Sequence, residues 1–146
     1  MNDSIVKTLL DKIVTKEEAA DIADRFDVIE KKIFSYRGDW KALLKANVGA
    51  DFYNILIAVT DDKELLNVFE KFRNAIASAD TVRLDIAFEP TYEFLSKISE
   101  LMAREVGRKV ILDINISKKL IGGLQISFNG RFADVSLEKK IKDSLR

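Results

Sequence analysis

Two lysines and two glycines stand close together late in the chain, at Lys118, Lys119, Gly122 and Gly123. Glycine amides beside lysine side chains are a way to bind phosphate. However, a Walker loop ends in Lys-Ser or Lys-Thr and leads into a helix, and the dinucleotide fingerprint also opens a helix. Here the glycines follow the lysines and precede a strand pattern. A tight turn or bulge between strands is therefore the favoured interpretation, and a small-ligand or RNA-binding regulatory domain using the Lys118–Gly123 loop is the alternative.

Single carboxylates are the other candidates for chemistry. Asp85 and Asp113 fall on the polar sides of strand patterns, where we expect them to be solvated. Asp134 lies two residues before Ser136 and is expected to brace a strand-to-helix turn as a hydrogen-bond acceptor. These structural roles are favoured over catalysis, so we predict no catalytic residue.

The composition narrows the function classes further. The chain has 146 residues with no histidine and no cysteine, and its formal net charge is zero. Disulfides and thiolate metal sites are excluded, and the commonest general base is missing, so we expect no enzyme, metal or cofactor. Zero net charge argues against a nucleic-acid binder. Residues 1–80 carry 12 basic and 15 acidic side chains, whereas residues 81–146 carry 12 and 9.

Helical periodicity runs through residues 1–80. Thr15 and Glu18 form a capping box, and Asp39 is placed to cap a short helix that ends before Gly49. Asp61 and Asp62 begin the last helix of residues 1–80. The pattern predicts a bundle of four or five short helices. The first helix carries an apolar stripe made of Ile5, Val6, Leu9, Leu10 and Ile13.

The period changes at residues 79–81, which predicts a domain boundary between 1–80 and 81–146. Apolar and polar residues then alternate, as in half-buried strands. The predicted order is β-α-β-β-β-α, so the fold class is α+β. Alternating apolar positions in the three most regular strands are Val82, Leu84, Ile86 and Phe88, then Val110, Leu112, Ile114 and Ile116, then Leu124, Ile126 and Phe128.

Turn and cap residues punctuate this second half. Pro90 is placed where a helix would start, and Gly107 is a natural stop at its end. Asn129-Gly130 is a strong signal for a hairpin turn, because both residues accept a positive φ. Ser136 is placed to cap a last helix. A small sheet covered by helices follows from these positions.

Four short motifs follow one another in the second half: Gly107, Leu120-Ile121-Gly122-Gly123, Asn129-Gly130 and Asp134-Val135-Ser136-Leu137. In order and spacing they resemble the C-terminal domain of the δ subunit of F-type ATP synthases, the family of the mitochondrial oligomycin-sensitivity-conferring protein. The resemblance covers about residues 81–146. Family members carry a longer N-terminal bundle of six helices, so the first half of this chain is shortened by comparison.

The resemblance implies a non-catalytic peripheral-stalk (stator) subunit that links the catalytic head to the membrane-anchored stalk. It implies that residues 1–80 bind the N-terminal helix of the synthase α subunit and that residues 81–146 bind a b-type stalk subunit. The expected place is the cytoplasmic face of the plasma membrane, reached only through the complex. The partner-binding residues stay unknown. We expect some of the apolar side chains of residues 1–80 to remain exposed as a groove for the partner helix. The candidates are the stripe of the first helix and a second group in the middle of this half, made of Trp40, Leu43, Leu44, Phe52, Ile55 and Leu56.

The glycine pair provides the first test. If Gly123 occupies a turn with positive φ, Gly123→Ala should lower the free energy of unfolding by about 1 kcal/mol or more, because a Cβ disfavours that conformation. Urea unfolding measures this cost. A negative φ at both Gly122 and Gly123 would contradict the structural interpretation of the pair.

Overall fold

The computed structural model describes residues 2–117, 124–128 and 131–132. The chain divides into two compact units. The first unit comprises residues up to Ile13 together with Glu18–Ser78, and the second comprises Val14–Glu17 together with the chain from Ala79 onward. Helices build the first unit and a small mixed sheet with a helix builds the second, which confirms the predicted α+β class.

Helices account for the first unit, as the 3.6-residue periodicity predicts. They are α1 (Asn2–Asp11), α2 (Lys16–Lys32), α3 (Trp40–Val48), α4 (Ala50–Leu56) and α5 (Asp62–Ser78). Phe26 of α2 stacks on Phe69 of α5 at a ring-centre distance of 4.1 Å and meets Phe72 edge-on at 5.3 Å. All three rings are fully buried. Because each buried ring stabilises the fold by about 1.5–3 kcal/mol, the α2–α5 contact is the centre of this core.

Side chains and one glycine define the helix ends in this unit. The carboxylate of Asp39 accepts a hydrogen bond from the Lys41 amide at 3.0 Å, so the predicted cap of α3 is confirmed. Asp61 does the same for α5, accepting from the Glu64 amide at 2.8 Å. Gly49 separates α3 from α4 with φ +81°. Local sequence signals therefore determine where these helices begin and end.

An arginine joins α2 to α5 on the outside of the core. The Arg73 guanidinium donates to Asp27 at 3.1 Å and to Glu30 at 2.9 Å. A second arginine, Arg25, donates to the carbonyl of Asn47 near the end of α3 at 3.2 Å. Since these side chains are partly exposed to water, each contact contributes less than about 1 kcal/mol. They set the orientation of the helices more than their stability.

The second unit is built on a four-stranded mixed sheet. Its elements are β1 (Asp80–Ile86), α6 (Tyr92–Val106), β2 (Val110–Ile116), β3 (Leu124–Phe128) and β4 (Arg131–Phe132), and the strand order is β2-β1-β3-β4. β1 and β2 are parallel, with α6 as their crossover, and Leu84 lies opposite Ile114. β3 is antiparallel to both β1 and β4. Alternate residues of β1 pack with α6 in one core, which includes Val82, Leu84, Ile86, Leu95, Ile98 and Met102.

The outer edge of β2 is covered by a segment from far earlier in the chain. The Leu112 amide donates to the carbonyl of Val14 at 2.9 Å, and Thr15 forms a parallel bridge with Leu112. Val14 is also buried in the core of the second unit. Val14–Glu17 lies within the predicted first domain, residues 1–80, but belongs to the second unit. Periodicity does not show which strand edge a short extended segment will join. The pairing satisfies backbone groups that an open edge would leave unpaired.

The burial of β2 differs from the predicted alternation. Val110, Ile111 and Leu112 are all buried, whereas Ile116 is 44% exposed. Ile111 occupies a position that the alternating pattern assigned to the polar side. A strand that is enclosed on both faces has a continuous apolar run rather than an alternating one. β2 is of this type at its beginning and changes along its length.

The C-terminal end of α6 is where the sequence predicts it, whereas the helix begins after Thr91 rather than at Pro90. The Thr91 hydroxyl accepts a hydrogen bond from the Phe94 amide at 3.1 Å and caps the helix, which begins at Tyr92. Pro90 therefore lies before the cap, not at the first helical position as predicted. Gly107 ends α6 in the left-handed conformation, with φ +86°, and its amide donates to the carbonyl of Ala103.

The end of the predicted fold falls outside the described residues. This applies to the Gly122-Gly123 turn, the Asn129-Gly130 turn and the helix capped by Ser136. The strands on either side of Asn129-Gly130 are described and pair antiparallel, with Phe128 opposite Arg131. Among the residues that the structure covers, no helix combines the length and apolar character that crossing a membrane requires.

An ion pair joins the start of β1 to the turn before β2. The Arg108 guanidinium donates to both carboxylate oxygens of Asp80, with Nη2 at 3.1 Å from Oδ1. The hydrogen bond from Arg108 holds the pKa of Asp80 below its ordinary value, although partial burial acts in the opposite direction. The sequence analysis missed this contact, since the residues are far apart in the chain and are brought together by the parallel pairing.

The conformation of Gly107 predicts a backbone cost on substitution. A Cβ at this position would meet no atom within 4 Å, so steric crowding is not involved. Gly107→Ala should lower the free energy of unfolding by about 1 kcal/mol because φ is positive. Gly107→Asn is the matched control and should cost less, since asparagine tolerates this conformation. Equal stability of Gly107→Ala and the wild type in urea would contradict the assignment.

Acid should weaken the pair between Asp80 and Arg108. Because the pKa of Asp80 is lower in the folded chain than in the unfolded chain, its contribution is present above a pH of about 4 and is lost as the pH falls through the folded value. The free energy of unfolding of Asp80→Asn should therefore fall less steeply with acidification than that of the wild type. An unchanged slope in Asp80→Asn would refute the prediction.

Candidate interaction surfaces

The described residues offer surfaces for binding more readily than a centre for chemistry. In residues 2–117, 124–128 and 131–132, no group of three or more carboxylate, histidine or cysteine side chains is arranged to hold a metal ion. The acidic side chains at helix starts have structural work, as Asp39 and Asp61 show by capping. The geometry therefore directs attention to clefts and exposed side chains.

A cleft runs between α1 and α5. It has a volume of about 370 Å³, and its lining residues are Asp3, Val6, Lys7 and Leu10 from α1 and Lys71, Asn74 and Ala75 from α5. Residues three and four apart on a helix share one face, which explains how each helix presents these positions together. The middle of the cleft is apolar and its borders are charged, as in a groove that accepts an amphipathic helix.

One end of this cleft is strongly polar. Lys71 donates to the carboxylate of Asp3 at 2.9 Å, and this hydrogen bond together with the charge of Lys71 lowers the pKa of Asp3. Beside it, the side-chain amide of Asn2 donates to Asn67 at 3.1 Å. The Oδ1 atom of Asn2 is buried and has no hydrogen-bond partner within the part of the chain described. The polar end therefore connects α1 to α5 next to the apolar floor.

The predicted groove is only partly present. Ile5, Leu9 and Ile13 are at most 7% exposed and pack in the core of the first unit, so they are not among the apolar side chains that remain exposed. Val6 is also buried, but it borders the cleft together with the half-buried Leu10. Packing against the neighbouring helices covers most of the stripe, which the sequence does not reveal. A narrower apolar floor remains.

A polar network lies on the face of the sheet opposite α6. Asp85 accepts hydrogen bonds from the Asn115 amide at 2.9 Å and from the Arg83 guanidinium at 3.3 Å. The hydrogen bond from Asn115 is the main reason that the pKa of Asp85 is lowered, with burial opposing it and Arg83 assisting. The side chain of Asp85 is only 16% exposed. The prediction that it is solvated is therefore wrong, because β2 and β1 bring its partners alongside, and Asp113 is likewise partly buried.

Most residues of the sequence motifs lie outside the described part of the chain. These are Gly122, Gly123, Asn129, Gly130, Asp134 and Ser136, along with Lys118 and Lys119. Gly107 is described and ends α6. The proposed Lys118–Gly123 ligand loop and the bracing role of Asp134 accordingly stay predictions.

The sequence analysis also missed exposed aromatic residues. Phe34 is 77% exposed and Tyr36 is 42% exposed, and both lie between α2 and α3. A signal for this was present, since the buried positions Ile29 and Ile33 continue the helical spacing of α2 and Phe34 does not. An aromatic residue out of phase with a core stripe favours a surface role.

Comparison with known proteins connects both units to one family. Residues 41–145 match the model of the family described as ATP synthase delta (OSCP) subunit. This range begins in α3 and extends well before the region of resemblance predicted from the motifs, which started at residue 81.

Two curated relatives have the same description. The chain is 26% identical over 80 residues to "ATP synthase subunit delta" of Heliobacterium modesticaldum, a match that spans 55% of this chain and 43% of the relative. It is 24% identical over 132 residues to the protein of that name from Azorhizobium caulinodans, spanning 84% of this chain and 71% of the relative. Since the family model covers well over half of the sequence and reaches into both units, the chain belongs to the ATP synthase delta (OSCP) subunit family.

Proposed function

We propose that this chain is a non-catalytic stator subunit of an F-type ATP synthase, which links the catalytic head to the membrane-anchored stalk. The observation that carries the proposal is the family match over residues 41–145, which takes in parts of the helical unit and of the sheet unit. The subunit performs no step of the reaction. It resists the torque between the rotating shaft and the stationary head.

A connector that transmits mechanical force needs well-packed units and extended contacts, and the chain has features suited to both. The first unit is built round the stacked rings of Phe26 and Phe69, and the second round β1 and α6. Close packing resists deformation, because close-packed protein interiors have low compressibility. These features support a mechanical role, in which affinity rather than reactivity is the selected property.

The α1–α5 cleft is our candidate for the head-binding surface. The proposed occupant is the N-terminal helix of the synthase α subunit. An amphipathic helix would place its apolar face over Val6, Leu10 and Ala75, with Lys7 and Lys71 at the borders. The excess of acidic side chains in residues 1–80 favours a basic helix only at long range, and cellular salt weakens that preference. The charged residues that line the cleft itself are two lysines and one aspartate.

The second unit would then bind the b-type stalk subunit. In this arrangement residues 1–80 serve the head and residues 81–146 serve the stalk, with Val14–Glu17 belonging to the second unit. The subunit would work as a peripheral protein at the cytoplasmic face of the plasma membrane and reach the membrane only through the complex. Neither role calls for a cofactor or a nucleic acid.

Substitution in the cleft tests the head contact. Leu10→Asp in the full chain should weaken binding to the purified synthase head of the same organism at least tenfold, because a carboxylate would replace part of the apolar floor. Calorimetric titration measures the affinity. Thr8→Asp is the matched control, since Thr8 lies on an exposed part of the same helix away from the cleft.

Both variants should unfold cooperatively on heating, so that a loss of binding is not a loss of folding. Leu10→Asp should have a lower midpoint than the wild type, because Leu10 packs partly against the core of the first unit. Equal affinities of Leu10→Asp and wild type would remove the cleft from the head contact. Absence of binding by the folded wild-type chain at high micromolar concentration would overturn the stator role itself.

A further inference from the structure

The connection between α2 and α3 exposes more aromatic surface than a helical hairpin needs. Phe34 and Tyr36 are 77% and 42% exposed, and Trp40 follows at the start of α3, packed only partly against the core. Burying such side chains against a partner would stabilise a complex, because it removes apolar surface from water. Tyrosine and tryptophan are also enriched among residues that dominate binding energy. The connection therefore has the composition of an interaction site.

Gly38 holds one of these rings in place. A Cβ added to Gly38 would lie 2.9 Å from Cε1 and 3.1 Å from Cζ of Tyr36, so the ring rests directly against the glycine backbone. Any larger residue would displace the ring. An aromatic side chain that is positioned before binding loses less entropy when a partner arrives.

Basic residues are frequent in the same segment of the chain. One of them, Lys45, has its ammonium group 5.8 Å from the ring centre of Tyr53. The exposed basic residues of this segment are Lys31, Lys32, Arg37, Lys41 and Lys45. Within the described residues none of them forms an ion pair with a carboxylate. The segment's acidic residue, Asp39, is engaged in capping α3. A surplus of positive charge is therefore available to a partner.

The helix dipole accounts for only some of these cations. Lys31, Lys32 and Lys45 lie in last helical turns, where positive charge is favourable. Lys41 lies in the first turn of α3, where the dipole disfavours it, and its ammonium group is 5.7 Å from the ring centre of Trp40. Arg37 lies in the connection itself. The helix dipole therefore does not account for Arg37 and Lys41.

The basic and aromatic patch is short, covering residues 31–45, and its length limits the kind of anion that could bind. The preceding helix carries Asp21, Asp24 and Asp27, and residues 1–80 as a whole have more acidic than basic side chains. A long polyanion such as nucleic acid would meet repulsion beyond the patch. A membrane surface would need a wider apolar face than Phe34 supplies. A short acidic segment could contact the cations and aromatic rings of residues 31–45 without reaching the acidic residues of α2.

We propose that the α2–α3 connection, residues 31–45, is a docking surface for an acidic segment of another protein subunit, with Phe34 and Tyr36 as its anchors and Arg37 and Lys41 as its charge partners. The inference rests on the proposed assembly into an ATP synthase. It adds a second contact of the first unit to the one proposed for the α1–α5 cleft.

Photocrosslinking in the assembled complex identifies the chemistry of the partner. p-Benzoylphenylalanine replaces Phe34 in the full chain, which is then assembled with the purified head and stalk subunits of the same organism. Mass spectrometry should find Phe34 joined to a segment rich in Asp and Glu. The same probe at Tyr92, a 59% exposed aromatic position of α6, should give a different peptide. A basic or uncharged segment at Phe34, or no crosslink there, would overturn the inference.

Affinity measurements test the same surface without a crosslinker. The double variant Arg37→Glu/Lys41→Glu should bind the head and stalk subunits about tenfold more weakly at 0.15 M salt, with a reduced dependence on salt. Gly38→Ala should weaken binding less, because it only displaces the Tyr36 ring. Lys63→Glu, at an exposed position of α5 that lies outside both proposed contacts of the first unit, is the charge control and should bind like the wild type.

The outcomes separate this inference from the proposed function. If the wild-type chain binds and the double variant binds equally well, the docking surface is wrong and the stator role stands. If the folded wild-type chain binds neither the head nor the stalk subunits, both proposals fail together. Circular dichroism of each variant shows whether it is folded.

Discussion

The hydrogen bond from the Leu112 amide to the Val14 carbonyl, at 2.9 Å, makes the second unit discontinuous in sequence. It gives β2 a backbone partner at Leu112 on its outer edge, where an unpaired group would otherwise be available to another chain. It also places a sheet segment between α1 and α2. The chain consequently passes between the two units at three points, and a cut near residue 80 would take an edge segment away from the sheet. The assembly proposed for this protein therefore depends on the intact chain.

Local signals predicted the helices and their ends well, because caps and periodicity act over a few residues. Asp39 and Gly107 lie at the helix ends that their chemistry favours. What the sequence could not show depends on which distant elements meet. The partners of Asp85, the pair of Asp80 with Arg108 and the burial of Ile111 all arise from strand pairing across many residues. The candidate surfaces were harder still to predict from the sequence. Which residues of a cleft or loop are exposed depends on the packing of every neighbouring element.

A connector in a rotary machine has to hold partners without acting on them. The two proposed contacts of the first unit use different physics, which suits that task. The α1–α5 cleft offers an apolar floor to a helix, and the α2–α3 connection offers aromatic rings and unpaired cations to an acidic segment. Apolar contact gives affinity that salt hardly affects, whereas the charged patch gives orientation and faster encounter. A helix with an apolar face and an acidic segment would then each bind at its own one of these two surfaces.

The central claim is that this chain joins head and stalk, and simultaneous binding tests it most directly. The purified head would be immobilised, and the soluble part of the b-type subunit from the same organism would be passed over it with and without the full chain. The account predicts that the stalk subunit is retained only when the chain is present, in a ternary complex. Equal retention of the stalk subunit in its absence, or binding of the chain to only one of the two partners at a time, would contradict the account.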